Sequence, residues 1–198
     1  MKMLSILLIF LNIYSQNNNC ILIKGGGFSG FWYFYGVTKV YPDDKIFCYS
    51  SGCLAVVSTI HPNNFNKTIS NVLNIKNDYN NNIIKLFDIR EKFIDNIINI
   101  DINNYNINII VSNYLGQCII KKPNNIKELK KLLLETTDIP FITSHFNIKK
   151  NIDGIFCKLQ HPKCNRVISI PKTFKFIINI LNPNLNIKDV YYFYNYIK

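Results

Sequence analysis

A short apolar run, Ile21-Leu22-Ile23, passes through Lys24 into three consecutive glycines, Gly25-Gly26-Gly27, and then directly into a block of aromatics beginning at Phe28. This junction limits the fold more than any other stretch. The apolar run is too short for a helix and suits a buried strand. Residues 28–41 are apolar all round, so they read as a core helix ending before Pro42. Joining the two by glycines alone leaves the backbone N–H groups of the turn uncovered by side chains. A second strand at 45–49 runs into Ser50. A second helix at 51–60 starts directly after it and stops at His61-Pro62-Asn63-Asn64.

Beyond this point the pattern continues as strands and helices. Ile83, Ile84, Phe87, Phe93, Ile94, Ile97 and Ile98 recur at helical spacing, giving an amphipathic helix near 83–99. The Asn-rich stretches 71–82 and 103–108 read as loops. Residues 107–113 and 117–121 flank Tyr114-Leu115-Gly116 as a hairpin. A helix at 126–135 carries Lys on its exposed face. Strands are expected near 148–152, 166–170 and 174–180, followed by a Tyr-rich helix from about 187. Alternating strands and helices argue an α/β sandwich with a largely parallel sheet. A chain of 198 residues is most simply one domain, here 16–198.

Three segments, taken in order, carry chemistry. Gly25-Gly26-Gly27-Phe28-Ser29-Gly30 offers backbone amides to an oxyanion. Cys48-Tyr49-Ser50-Ser51-Gly52 places a serine between a strand and a helix. Asp153-Gly154 supplies a carboxylate at a turn. A hydroxyl needs a base within hydrogen-bond reach, and a carboxylate serves only if burial raises its pKa. The apolar neighbours Phe141, Ile148, Ile152 and Ile155 provide for that.

These segments resemble the patatin-like phospholipase family. Its pattern is a strand, a Gly-Gly-Gly-x-x-Gly loop, a helix, a strand, a Gly-x-Ser-x-Gly elbow, and a later Asp-Gly-Gly or Asp-Gly-Ala. Ile139-Pro140-Phe141 ahead of Asn151-Ile152-Asp153-Gly154, and Arg166-Val167-Ile168-Ser169-Ile170-Pro171 after it, are similar to the family's flanking strands. The likeness spans about residues 21–171. It implies a three-layer α/β/α sandwich and a lipid acyl hydrolase, either a phospholipase of the A type or a carboxylic-ester lipase. Ser50 would be the nucleophile and Asp153 the base. The amides of Gly25, Gly26 and Gly27, with Ser51 N–H, would hold the oxyanion, and Gly30, Gly52 and Gly154 complete the motifs. No metal, cofactor or catalytic histidine is implied. The substrate would be a phospholipid or acylglycerol. Cys48 replaces the first elbow glycine, and Ile155 stands where a small residue follows Asp-Gly. These departures motivate an alternative: an inactive patatin-like domain that binds lipid surfaces or a protein partner.

The net charge of +11 is concentrated in the second half of the chain, densest at Lys121, Lys122, Lys127, Lys130 and Lys131 with Lys149 and Lys150 beyond. A positive face attracts anionic membrane headgroups, although a Lys- and Asn-rich coding bias explains the count equally well. No motif accompanies these charges that would direct them to nucleic acid. Met1-Lys2 followed by the apolar stretch 4–13 and a polar exit reads as a signal peptide over 1–15, implying secretion. Six cysteines then permit disulfides, with Cys157–Cys164 the expected pair and Cys48 and Cys53 expected as core thiols. Gly25-x-Gly27-x-x-Gly30 also satisfies a dinucleotide fingerprint, but the required acid after the second strand is missing, since Asp43 and Asp44 precede it. Cys157, His161 and Cys164 have zinc-like spacing without a fourth ligand. His61, His145 and His161 are expected to be structural or surface residues.

Overall fold

The computed structural model describes residues 19–61, 65–140, 142–143, 151–158 and 161–196. Its centre is a six-stranded sheet: β1 (Ile21–Ile23), β2 (Lys45–Cys48), β3 (Asn106–Ser112), β4 (Cys118–Lys121), β5 (Ile152–Asp153) and β6 (Arg166–Ile168). The order is β4-β3-β2-β1-β6, with β5 also paired to β3. Strand β1 is parallel to both β2 and β6, and β2 is parallel to β3; β4 and β5 are antiparallel to β3. Seven helices are described: α1 (Gly27–Val37), α2 (Ser51–Ile60), α3 (Phe65–Asn80), α4 (Leu86–Ile97), α5 (Ile126–Thr136), α6 (Phe174–Ile178) and α7 (Ile187–Tyr194). The mixed α/β organisation and largely parallel sheet expected from the alternating pattern are therefore present.

The pleat divides the core. Ile23, Ile46, Cys48, Ile107, Ile109 and Val111 face one side, where they join buried side chains from all seven helices. Phe31, Trp32 and Phe34 of α1 lie in that cluster, as its all-round apolar character demands. The alternate residues Leu22, Phe47, Tyr49 and Ile110 form a smaller cluster on the other side, flanked by Cys118, Cys157 and Cys164. Among the described residues this second face is braced by disulfides rather than covered by helices.

Several sequence expectations are corrected. The Asn-rich segment 71–82 is mostly helical, as part of α3, because Ile69 and Ile75 reach the core and the asparagines stay outside. Residues 174–180 form the short helix α6 and a turn instead of a strand, anchored by the fully buried Phe176. Helix α1 stops at Val37, short of Tyr41. The disulfides are Cys20–Cys164, Cys48–Cys53 and Cys118–Cys157. Cys157 is thus not joined to Cys164, and Cys48 and Cys53 are not free thiols, because β1 brings Cys20 beside Cys164 and the α2 turn folds Cys53 onto Cys48. The expected signal peptide, His145 and most of the 148–152 strand lie outside the described residues. Among the described residues no helix is long and apolar enough to cross a membrane.

Candidate active site

Sheet register brings Ser50 and Asp153 together. Strand β3 pairs with β2 along its first half, Cys48 opposite Ile109, and with β5 along its second, Asp153 opposite Val111. Strand β4 occupies the other edge of β3 at the same level, Val111 opposite Ile119. Strand β5 must therefore take the edge that β2 leaves when the chain turns off at Ser50. Two residues past Cys48 on one strand and two past Ile109 on the next reach the same height of the sheet. Here β1 has neighbours on both sides, β2 and β6, reached by oppositely directed connections. The loops at its carboxyl end consequently sit at a topological switch point, the usual ligand crevice of such sheets.

Ser50 has φ 55° and ψ −141°, a left-handed conformation that few non-glycine residues adopt. The surrounding structure imposes it. The Ser50 N–H donates to Thr136 Oγ1 at 2.9 Å, and the Thr136 hydroxyl donates to the Ile110 carbonyl at 2.7 Å. On the other side the Cys53 N–H bonds the Ser50 carbonyl at 3.0 Å, and the Cys48–Cys53 disulfide spans the turn. Gly52 is required because a Cβ there would strike the Lys24 carbonyl. The result is a sharp elbow with the serine at its apex.

Asp153 is fully buried. Its N–H donates to the Asp138 carbonyl and its Oδ1 accepts the Ile155 N–H, both at 2.9 Å; its Oδ2 has no partner at ordinary hydrogen-bond geometry among the described residues. Burial raises its pKa from 3.8 to about 7; the Ser50 hydroxyl and the Ile155 amide pull it down, Asp138 pushes it up and Arg90 pulls it down. A carboxylate tuned this way can accept a proton near neutral pH. Arg90 in turn pairs with Asp138 at 3.3 Å and bonds the Thr137 carbonyl at 3.2 Å.

The glycine loop rests on the serine. A Cβ on Gly25 would lie 2.7 Å from Ser50 Cβ, and Gly27, at φ +59°, packs against the Ile180 carbonyl too closely for any side chain. The four expected oxyanion amides separate into two groups. The Gly26 N–H donates to Ser51 Oγ at 3.0 Å, and the Gly25 N–H is directed to the Tyr49 hydroxyl. Neither is open. The Gly27 and Ser51 amides have no protein partner among the described residues, and both residues line a cavity of about 350 Å³ with Ser50. Apolar side chains such as Phe31, Leu54, Val72 and Phe93 form most of its wall.

On the far side of the elbow Tyr49 stacks on His161, ring centroids 4.9 Å apart, and His161 Nε2 lies 3.2 Å from the Gly154 carbonyl. Burial, the Asp153 charge and the Gly25 amide together leave Tyr49 with its pKa pushed up to about 12. The zinc-like set is not assembled as spaced, since Cys164 is bonded to Cys20. The group that does converge, Cys118, Cys157 and His161, has two members joined in a disulfide. Thr136, Arg90 and Asp138 are site residues that sequence reading missed. No motif marks them, and their roles arise only from the packing of α5 against β3 and β5 and of α4 against α5. Comparison with protein-family models, curated proteins and solved structures finds no match to this chain.

Proposed function

We propose that the protein is a lipid acyl hydrolase of the patatin-like type, acting on the carboxylic esters of phospholipids or acylglycerols through a Ser50–Asp153 dyad. The observation that carries this reading is a strained elbow serine next to a buried carboxyl of pKa about 7, at the wall of an apolar cavity. Asp153 takes the Ser50 proton as Oγ attacks the ester carbonyl. The Gly27 and Ser51 amides, whose residues line the cavity with Ser50, receive the oxyanion, while the Gly26 amide of the four expected donors is taken by Ser51 Oγ. The returned proton leaves with the alcohol, and water activated by the same carboxylate releases the fatty acid from Ser50. A cavity of about 350 Å³ lies within the range of small-ligand sites and would take the acyl chain. In this reading the domain is pared down relative to a three-layer α/β/α sandwich, with disulfide-braced loops over Phe47 and Ile110 where a second helical layer is expected. Three disulfides suit a secretory route.

The test is fatty-acid release from phospholipid vesicles, with fluorophosphonate labelling in parallel. Wild type should release fatty acid and be labelled; Ser50→Ala should do neither while melting at the same temperature. Equal release by both proteins would remove Ser50 from the reaction. The engagement of the Gly26 amide favours one second reading, an inactive patatin-like module that binds lipid or protein. A folded wild type that resists the probe yet binds vesicles would establish it.

A further inference from the structure

The exposed apolar residues Phe174, Ile177 and Ile178 share one face of α6, and exposed Leu181 follows in the turn after it. Phe174, Ile177, Ile178 and Leu181 are spaced i, i+3, i+4, i+7 and are 77%, 54%, 55% and 52% exposed, whereas Phe176 is fully buried. We propose that this face docks on an anionic lipid bilayer and sets the mouth of the Ser50 cavity against the membrane. The docking role rests on the acyl-hydrolase reading for its purpose and on its own observations for its place. A soluble surface seldom carries so contiguous an apolar patch without a partner.

Three observations select a membrane. Leu181 and Ile187 line the Ser50 cavity while remaining about half exposed, so the cavity opens beside the patch. The charge around it is positive: residues 172–196 carry Lys172, Lys175 and Lys188 against one acid, Asp189, which Lys175 already pairs at 2.9 Å. The denser lysine group is less suited, because Lys121, Lys130 and Lys131 are paired with Glu135, Glu91 and Asp95. Finally, the patch is fastened to the catalytic loop. The Phe28 N–H bonds the Ile180 carbonyl at 2.8 Å, and the Ser29 hydroxyl bonds the Phe176 carbonyl at 3.0 Å. An apolar face rimmed by lysines is the form of a monotopic anchor.

The experiment is co-sedimentation with vesicles of phosphatidylcholine and phosphatidylglycerol, roughly 7:3, where the anionic lipid supplies the attraction. The variants are Ile177→Asp/Ile178→Asp and Lys172→Glu/Lys188→Glu, each checked by thermal melting. Wild type should bind. Each double variant should lose at least about tenfold in partitioning while keeping wild-type turnover of a soluble butyrate ester. Phe174→Trp keeps the face apolar and adds a surface indole to the buried Trp32, so its emission should shift to the blue on vesicle addition. Unchanged partitioning of a folded Asp variant, or an unshifted emission from the Phe174→Trp protein, overturns the proposal. So does a wild-type dimer that the Asp substitutions convert to monomer, which would make a second copy the occupant. Vesicle binding without any ester turnover by wild type leaves the docking face standing and defeats the hydrolase reading instead.

Discussion

Thr136 holds the backbone of Ser50: its Oγ1 accepts the serine amide at 2.9 Å while its own proton goes to the Ile110 carbonyl at 2.7 Å. The elbow is therefore tied to β3 through one hydroxyl at the end of α5. Thr136→Val keeps the shape and removes the acceptor, stranding a buried N–H at a cost of about 1–3 kcal/mol. Chemical denaturation should show that loss. Fluorophosphonate labelling should slow by about tenfold or more as the strained φ relaxes, and Thr136→Ser should restore most of both.

The pH dependence follows from Asp153. Its carboxyl must be ionised to accept a proton, so labelling and turnover should rise with pH through about 7 and then level off. Stability moves the other way. Between 3.8 and about 7 the folded chain retains a proton that the unfolded chain has lost, so stability contributed by this group is full below 3.8 and drains as pH climbs through about 7. Asp153→Asn should be inactive, yet more stable than wild type at alkaline pH by up to a few kcal/mol, on the order set by the shift. Urea melts of both proteins across this range check the sign.

The disulfides should divide stability from activity. Cys20–Cys164 closes a separation of 144 residues and Cys48–Cys53 one of 5. Loop-entropy arguments give roughly 5 and 2 kcal/mol respectively. Cys20→Ser/Cys164→Ser should lower the denaturation midpoint more than Cys48→Gly/Cys53→Ala, whereas the latter should slow probe labelling more. Midpoints and labelling rates from the same preparations make the comparison.

Acyl-chain length is the remaining expectation. Leu54 lines the cavity from α2, close behind the elbow. Leu54→Trp should shorten the chain accepted, cutting kcat/KM for an octanoate ester by about tenfold or more relative to butyrate. A parallel fall for both esters would place the acyl chain elsewhere.

What could be read from the sequence follows from the range over which each signal acts. The hairpin around Tyr114-Leu115-Gly116 was legible because alternation is local, and β3 and β4 appear where expected. Helix α3 was obscured because Asn77, Asn80 and their neighbours suggest loop, while Ile69 and Ile75 supply a core-facing stripe whose value depends on tertiary burial. In α6 the isoleucines Ile177 and Ile178 favour a strand by propensity, but the burial of Phe176 decides for helix. Ser50, Asp153 and the glycines were accessible as motifs. Their mutual placement, the loss of the Gly26 amide to Ser51, and the pairing of Cys20 with Cys164 were not, since six cysteines alone permit fifteen pairings.

Strand β5 occupies the edge of β3 that β2 abandons, so Ser50 and Asp153 inherit their separation from a shared ladder and owe nothing to the length of chain between them. Changes of loop length between Ser112 and Ile152 leave this placement undisturbed as long as Thr136 and Asp138 keep their bonds to the Ser50 and Asp153 amides. A slip of β5 by a single residue, by contrast, would turn the Asp153 carboxyl to the opposite face and part it from Ser50 at once.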